Sequence, residues 1–289
     1  MPGMRAWIAV LLLHSGFTSA QDCTPATWLR LDGERPASVA HGVLLGEMAG
    51  RDVVLLGERH DDADHHRWQL HTLAALHAQR PRMVIGFEVF PRRVQPVLDR
   101  WVAGEVSAQQ LLAEVQWDKL WKLPAELYLP LFHFARLHRI PMVALNVERR
   151  LTQEVAAKGW DAVPEAEREG VSRPAPAPQP YAEELARVHK EHKQEHKAGG
   201  SLENFVAAQQ TWDRAMAQAL AARAGEVLAV GIIGSGHLRH GHGVALQLRD
   251  LGVKSIGTLL PVESGKCNEL VRGLADAVFV LPLPGGSAR

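Results

Sequence analysis

The stretch VVLLGERHDD, residues 53–62, joins a buried-type strand to a dense group of polar side chains. Four apolar, β-prone residues lead into Gly57, and Glu58 and His60 follow directly. A continuous apolar run is typical of a parallel strand that is covered on both faces, and α/β folds bind ligands beyond the carboxyl ends of such strands. The sequence therefore predicts a site at Glu58 and His60. A solvated loop after a buried strand is the alternative interpretation.

Three later segments repeat this pattern of an apolar strand followed by a polar side chain. They are residues 83–88 with Glu88, residues 141–146 with Asn146, and residues 227–233 with His237 after a glycine-rich turn. Helical patterns lie between these segments, which favours βαβ units and a parallel sheet. Because the carboxyl ends of parallel strands share one edge of the sheet, we expect the four strand ends to converge.

The expected fold class is α/β, with a mainly parallel sheet flanked by helices and a helical subdomain. We expect one domain over residues 21–289, with helical insertions at about 92–139 and 147–224. Residues 23–52 lack a clear period and are predicted to be irregular. The proline-rich segment 172–180 is predicted to be an extended linker, because proline removes a backbone donor and fixes φ.

The converging side chains are the types that hold a divalent metal or transfer protons. Carboxylates and imidazoles bind metals such as zinc, and either group can act as a general base beside an activated water. The predicted metal ligands and candidate catalytic residues are Glu58, His60, Glu88 and His237. The alternative is a polar cleft whose residues only satisfy one another by hydrogen bonds.

The first twenty residues have the pattern of a secretory signal peptide of the Sec type. A basic start is followed by the apolar run 6–13 and by Thr18-Ser19-Ala20, which has small residues at both cleavage-specifying positions. We therefore expect cleavage after Ala20 and a periplasmic or secreted protein. Gln21-Asp22 precede Cys23 in place of a lipidation box, so lipidation is not expected.

Export would place the two cysteines, Cys23 and Cys267, in an oxidising compartment. A disulfide between them is one expectation and two unpaired thiols are the other, because spacing alone does not decide between them. Lys+Arg and Asp+Glu both number 32, so no net charge attracts a polyanion and no nucleic-acid partner is expected. Histidine is frequent, with 15 residues that cluster, and this favours metal or haem ligation.

A second candidate site lies on an amphipathic stretch after the proline-rich segment. Tyr181, His189, His192 and His196 fall on one stripe at helical spacing, with apolar residues between them. A phenolate or an imidazole can be an axial ligand to haem iron. From spacing alone, a surface helix with solvated histidines is the simpler interpretation.

Several motifs resemble the ChaN-like haem-binding uptake proteins of the Tiki superfamily. They occur in order over about residues 45–260: LGERHD, His65-His66, GFEVF, Tyr128 with Pro130, ALN, the stretch 209–217 and GSGHL. The resemblance implies a bacterial envelope protein that binds haem, often as a homodimer around it, with an outer-membrane haem receptor as a partner. It also implies Tyr181 as the iron ligand, and a contact from His189, His192 or His196 to a haem propionate.

The wider superfamily includes proposed metal-dependent proteases and esterase-like proteins, whose motifs map onto Glu58, His60, Glu88 and His237. The leading prediction is a periplasmic haem- or iron-binding protein for haem or iron uptake, with haem as cofactor. The alternative is a metal-dependent hydrolase at the strand edge, with a divalent metal. An envelope binding module with neither ligand is the third interpretation. Because Tyr181 lies far along the chain from Glu58, we expect the haem site to be separate from the strand-edge cleft.

Overall fold

The structure is a computed structural model that describes residues 23–196 and 200–283, without the side chains of residues 192–196. The predicted signal peptide, residues 1–20, lies outside this part of the chain. The described strands are β1 Trp28–Arg30, β2 Ala37–Val39, β3 Val53–Glu58, β4 Met83–Pro91, β5 Met142–Asn146, β6 Leu228–Gly234, β7 Ile256–Glu263 and β8 Ala277–Leu281.

These strands form one sheet in the order β2-β1-β8-β7-β3-β6-β4-β5. The strands from β8 to β5 run parallel, whereas β1 pairs antiparallel with both β8 and β2. This topology confirms the predicted α/β fold with a mainly parallel sheet. The strand at the centre of the site, β3, lies between β7 and β6, and Glu58 is in register with Gly234.

Helices cover both faces of the sheet. In the described residues they are α1 His41–Ala49, α2 Ala63–Gln79, α3 Gln95–Ala103, α4 Ala108–Val115, α5 Trp117–Leu120, α6 Leu129–Leu137, α7 Arg149–Lys158, α8 Gln179–His196, α9 Leu202–Ala221 and α10 Val244–Asp250. Short 3-10 turns include Ser235–His237 and Arg239–Gly241.

The side chains of β3 alternate between two hydrophobic clusters. Val54 and Leu56 pack with residues of α1 to α6, whereas Val53 and Leu55 pack with residues of α9 and α10. All six residues of β3 are buried, as expected for a strand covered on both faces. The alternation follows from the two-residue period of a strand and explains why the sequence shows a continuous apolar run.

The expectation of irregular structure over residues 23–52 was wrong. This segment contains β1, β2 and α1. β1 pairs with β8, which lies at the other end of the chain, and a local hydrophobic pattern does not reveal such a distant pairing. Asp62 caps the start of α2 by accepting from the backbone N–H groups of Asp64 and His65.

A disulfide joins Cys23 to Cys267, with their Cα atoms 5.9 Å apart. It connects the segment before β1 to the turn after β7, across 244 residues of chain. Of the two expectations for these cysteines, the structure therefore shows the bonded pair. Within the described residues, no helix combines the length and the apolar character needed to cross a bilayer.

Candidate functional site

The carboxyl edge of the sheet brings together four polar side chains predicted from the strand ends. Glu58 ends β3, Glu88 lies in β4, and His237 follows β6 in a 3-10 turn. His60 lies two residues beyond β3. Asn146 ends β5 but does not face the others through its amide: it donates to the backbone oxygen of Glu88 and accepts from the N–H of Val147. Asn146 therefore fixes the backbone beneath the cleft.

The first part of the site is a chain of hydrogen bonds that we call the first arm, Tyr128–Glu58–His60. The Tyr128 hydroxyl donates to Glu58 Oε1 at 2.6 Å, and His60 Nδ1 lies 2.7 Å from the same oxygen. Gln69 Nε2 donates to Glu58 Oε2 at 3.0 Å. The Glu58 carboxylate is thus an acceptor for three side chains in a buried position.

These donors keep Glu58 ionised. Burial by itself raises the pKa of a carboxyl group, but the hydrogen bond from His60 and the charges of His66 and His60 lower the pKa of Glu58 below its usual value. With Glu58 as the acceptor, the proton of the neutral His60 ring lies on Nδ1. Its Nε2 atom then carries the lone pair and points away from Glu58.

The second part of the site is an equivalent chain, the second arm, Tyr181–Asp213–His237. The Tyr181 hydroxyl donates to Asp213 Oδ2 at 2.8 Å, and His237 Nδ1 lies 2.6 Å from Asp213 Oδ1. Asp213 has no exposed surface and comes from the middle of α9, whereas Tyr181 comes from α8. The second arm therefore repeats the order of the first, phenol to carboxylate to imidazole.

The two arms converge on Glu88. His60 Nε2 lies 4.0 Å and His237 Nε2 lies 3.6 Å from Glu88 Oε1. The other oxygen, Oε2, accepts the backbone N–H of Gly234 at 2.7 Å. Glu88 is therefore anchored through one oxygen and presents the other to both imidazoles.

This donor set suits a divalent metal. Two imidazoles and one carboxylate are a common ligand set for divalent metals, and ligating histidines usually donate their second N–H to a carboxylate. Tetrahedral ligands about 2.0–2.1 Å from a metal are separated by about 3.3 Å. The 3.6 Å separation between His237 and Glu88 is close to that value, whereas the 4.0 Å separation between His60 and Glu88 is about 0.7 Å longer. His60, Glu88 and His237 therefore have the ligand chemistry for a metal, but their ligand atoms do not all lie within 4.8 Å of one another, so the partly exposed His60 ring would have to move toward the other two to share one ion. Glu58 backs His60 without facing the shared point.

The same carboxylates favour the charged form of both histidines when no cation is present. Burial lowers the pKa of His60, but its hydrogen bond to Glu58 and the charge of Glu88 raise it above the usual value. For His237, burial also opposes the charge, and the carboxylates of Glu88 and Asp213 raise the pKa to about 9. The edge therefore favours a cation at this point, either protons on the imidazoles or a metal.

Solvent reaches the cleft through His60, whose side chain is 34% exposed, while Glu58, Glu88 and His237 are buried. Two half-buried tryptophans contact the imidazoles edge-on. The ring of Trp121 lies 4.8 Å from that of His60, and the ring of Trp212 lies 5.8 Å from that of His237. Each arm of the site thus has a tryptophan beside its imidazole.

The stripe predicted to bind haem faces the protein. Tyr181 is 2% exposed and His189 is 9% exposed, with the His189 ring 4.9 Å from that of Phe205. The side chains of His192 and His196 lie outside the described residues. The expectation that Tyr181 belongs to a site separate from the strand edge was wrong, because Asp213 links it to His237.

Both tyrosines of the chain donate to buried carboxylates. Burial and the adjacent carboxylate raise the pKa of each phenol far above its usual value, so each stays protonated. In this arrangement neither phenolic oxygen is free to bind iron. Ligation of iron by Tyr181 therefore requires its bond to Asp213 to open.

Sequence reasoning did not single out Asp213 or Gln69 individually, and it named His66 and Tyr128 among the residues that resemble the family but assigned neither a role in the site. Asp213 lies inside the stretch 209–217 that resembles the family, beside Arg214 and Thr211, which are also buried. Several polar residues on the inner face of an amphipathic helix were the available signal. Each needs a buried partner, and this requirement points to a network.

A second group, Asp62, His65 and Glu263, brings possible ligand atoms within 4.8 Å of one another. The Arg59 guanidinium already pairs with Asp62, and with Glu263 at 3.1 Å. His65 Nδ1 accepts the backbone N–H of Arg59 at 2.8 Å, so Nε2 carries the proton of the neutral ring and offers no lone pair. We therefore interpret this group as an ion-pair network that holds the β3–α2 turn against β7.

Comparison with solved structures identifies ChaN of Campylobacter jejuni, in a structure that describes cofacial haem binding. It is 21% identical, with a TM-score of 0.65, and the match covers 87% of this chain and 96% of ChaN. The type III effector HopBA1 is 11% identical, with a TM-score of 0.49 and coverage of 83% and 91%. An erythromycin esterase, EreC, is 12% identical, with a TM-score of 0.47 and coverage of 76% and 72%.

No curated protein sequence is significantly similar to the chain. The family model described as haem-binding uptake, Tiki superfamily, ChaN matches residues 44–248. This range contains β3 to β6, both arms of the site and Glu88. The chain therefore belongs to the ChaN haem-binding uptake family of the Tiki superfamily.

Proposed function

We propose that this protein binds haem as its cargo, in haem or iron uptake. The observation that carries the proposal is the family match over residues 44–248, which spans the site and the α8–α9 region. The ChaN structure with the same fold is described with cofacial haem. Haem binding by this chain is the common function that these observations support.

Tyr181 is the proposed iron ligand, and one of His189, His192 or His196 is proposed to contact a propionate. A phenolate prefers ferric iron, so binding should depend on oxidation state. The described structure sets a condition on this role: Tyr181 must leave Asp213, and α8 must move enough to expose its hydroxyl. We propose that haem binds to such an opened state, which makes affinity depend on the strength of the Tyr181–Asp213 bond.

The test is a haemin titration followed by visible spectroscopy. Wild type should give a shifted Soret band with the charge-transfer features of a phenolate ligand, and Tyr181→Phe should lose those features. Tyr128→Phe is the matched control, because it removes the same hydroxyl from the other arm and should leave the spectrum unchanged. An unchanged haemin spectrum with wild type would contradict haem binding, and a normal spectrum with Tyr181→Phe would remove Tyr181 from the ligand role.

We further propose that the protein acts in the periplasm, as a homodimer around haem, and receives haem from an outer-membrane receptor. The signal-peptide pattern of residues 1–20 and the Cys23–Cys267 disulfide support an oxidising compartment. Fractionation of cells expressing the full chain, with and without residues 1–20, tests the location. Mass measurement with and without haemin tests the dimer.

A metal-dependent hydrolase is the second candidate function. The observation that favours it is the convergence of two carboxylate-backed imidazoles on Glu88 Oε1. A divalent ion held by His60, Glu88 and His237 would act as a Lewis acid on a substrate carbonyl or phosphoryl oxygen. Glu58 and Asp213 would keep the two imidazoles oriented, and the tryptophans beside them would limit access of water.

Metal analysis of the purified protein distinguishes this candidate from haem binding alone. If the protein is a metal-dependent hydrolase, we expect it to retain one divalent ion per chain and Glu88→Gln to lose that ion. Glu263→Gln is a suitable control, because Glu263 belongs to the Arg59 network and not to the cleft. A metal-free protein, together with full haem binding by Glu58→Gln, would contradict the second candidate.

A further inference from the structure

We infer that Asp213 is the positioning residue of His237, and that Tyr181 holds Asp213 in place for this role. The inference rests on the second candidate function, because it explains how His237 is aimed at the shared point beside Glu88. It assigns a role to a buried carboxylate on α9, and it gives Tyr181 a role in the described state that does not involve iron.

The orientation of His237 depends on contacts at both ring nitrogens. On one side, Nδ1 lies 2.6 Å from Asp213 Oδ1, and on the other, Nε2 faces Glu88 Oε1 at 3.6 Å. The Gln209 amide nitrogen also lies 3.4 Å from Nε2, so the Asp213 contact is the shortest of the three. Asp213 therefore places the proton on Nδ1 and leaves Nε2 as the atom that meets a metal or a substrate proton.

Asp213 needs its own support, because the second carboxylate oxygen would otherwise be buried without a partner. Tyr181 supplies that support through the 2.8 Å bond to Oδ2. Both residues are at least 98% buried, so water does not replace either bond readily. The Tyr181 hydroxyl thus selects the carboxylate orientation in which Oδ1 faces His237.

The loop after His237 is shaped to allow this contact. Gly243 lies where an added Cβ would be 3.0 Å from Asp213 Oδ1 and would overlap the backbone oxygen of His237. A side chain at this position would displace either the loop or the carboxylate. The close approach of the loop to α9 is therefore independent evidence that the fold keeps Asp213 against His237.

This arrangement has a consequence for Tyr181. The hydroxyl that would bind iron in the proposed haem complex is the same hydroxyl that orients Asp213. The two roles exclude each other at any one time, so haem ligation would release the second arm. By linkage, strengthening the metal-bound state of the cleft should weaken haem binding by the same factor.

The experiment uses the mature chain with its disulfide intact, labelled with 15N-histidine. In the metal-free protein, His237 Nδ1–H should give a low-field proton resonance, assigned by its loss in His237→Gln. Asp213→Asn should shift this resonance to higher field, and Tyr181→Phe should shift it less. In parallel, calorimetry with Zn2+ should show about 10- to 100-fold weaker binding for Asp213→Asn, the range found for removal of such supporting carboxylates.

Asp250→Asn is the matched control. It makes the same chemical change at an ion pair between α10 and Arg214 of α9, and Asp250 has no hydrogen bond or ion pair with His237 among the described contacts. It should leave both the His237 resonance and the Zn2+ affinity unchanged. Unchanged resonance and affinity in both Asp213→Asn and Tyr181→Phe would overturn the inference. If Asp213→Asn fails to fold, an unchanged resonance in Tyr181→Phe overturns the role of Tyr181 as the holder of Asp213.

The same data separate this inference from the proposed functions. Wild type that binds no Zn2+ but shows a His237 resonance sensitive to Asp213→Asn would contradict the metal-dependent hydrolase and support the positioning role. If wild type binds Zn2+, and both Asp213→Asn and Tyr181→Phe bind it equally well, the metal site would be supported and the positioning role of Asp213 would be contradicted. Absence of a haemin spectrum would contradict haem binding and would not affect either result.

Discussion

The two arms of the site have the same chemistry but very different origins in the fold. In the first arm, Glu58 and His60 lie next to each other in sequence at the end of β3, and Tyr128 precedes α6 on the same side of the sheet. In the second arm, His237 follows β6, but Asp213 and Tyr181 come from α9 and α8. One arm is therefore built into the sheet edge, and the other depends on packing of the α8–α9 region.

This difference predicts unequal stability. Glu58 accepts from three side chains and Asp213 from two, so replacing the carboxylate by an amide leaves more donors unpaired in the first arm. Glu58→Gln should lower the free energy of unfolding by about 3 kcal/mol, and Asp213→Asn by about 1.5 kcal/mol. Urea denaturation of the two variants measures the difference. An equal or larger loss for Asp213→Asn would show that α8 and α9 contribute more to stability than the sheet edge.

The histidines should also differ in how they link stability to pH. His237 has a folded-state pKa raised to about 9 from 6.5, by Glu88 and Asp213 against the effect of burial. Because the folded state binds the His237 proton more tightly than the unfolded state, protonated His237 stabilises the fold fully below pH 6.5. This contribution is lost as the pH rises through about 9. As the pH rises from 6.5 to about 9, the free energy of unfolding of the metal-free chain should therefore fall by on the order of 2 kcal/mol.

Denaturation at several pH values, in the presence of a chelator, measures this loss. His237→Gln should remove most of the dependence. His60→Gln should retain most of it, because His60 is partly exposed. A pH dependence of stability that disappears in His60→Gln and persists in His237→Gln would show that His60 of the first arm is responsible instead.

The point where the arms meet can be disturbed without removing any polar group. An added Cβ at Gly234 would lie 2.8 Å from His60 Nε2 and 3.4 Å from Glu88 Oε2, whereas Gly236 has no atom within 4 Å of that position. Gly234→Ala should weaken Zn2+ binding about tenfold, an effect of about 1.4 kcal/mol. Gly236→Ala, in the same turn, should bind as wild type does. Equal affinities for the two variants would place the metal elsewhere.

The smallest expected effect separates the two phenols. Tyr128→Phe should cost about 1 kcal/mol of unfolding free energy, because Glu58 loses one of three donors at full burial. Tyr181→Phe should cost a similar amount or less, because its bond to the carboxylate is 2.8 Å long against 2.6 Å for Tyr128. Thermal unfolding of the two variants measures the difference between these costs. A cost several times larger for Tyr181→Phe would mean that α8 is fixed to the protein mainly by this hydroxyl.

Glu58 and His60 of the first arm were predictable because they follow a recognisable strand. The apolar run of residues 53–56, the glycine after it and the two polar residues at its end together indicate both the strand and its edge. The convergence of Glu58, Glu88 and His237 followed from the parallel sheet alone. The strand order was not predictable, since pairing of β1 with β8 depends on contacts across the whole chain.

The second arm was not predictable in the same way. The stripe of Tyr181 and His189 correctly indicated an amphipathic helix, but a helical period does not reveal what the helix packs against. Asp213 lies on another helix, 32 residues away, and the sequence offered no spacing rule that joins it to Tyr181. Both interpretations of this stripe, as haem ligands and as a surface helix with solvated histidines, therefore missed the buried carboxylate opposite Tyr181.

We propose that His60, Glu88 and His237 form one metal site to which both arms belong. Titration of the metal-free chain with Co2+, followed by visible absorption, tests it most directly. We predict one tightly bound ion per chain with the d–d bands of a low-coordinate site, band shifts in both Glu58→Gln and Asp213→Asn, and loss of the bands in Glu88→Gln. Bands that persist unchanged in Glu88→Gln, or that respond to only one of the two backing carboxylates, would contradict the claim.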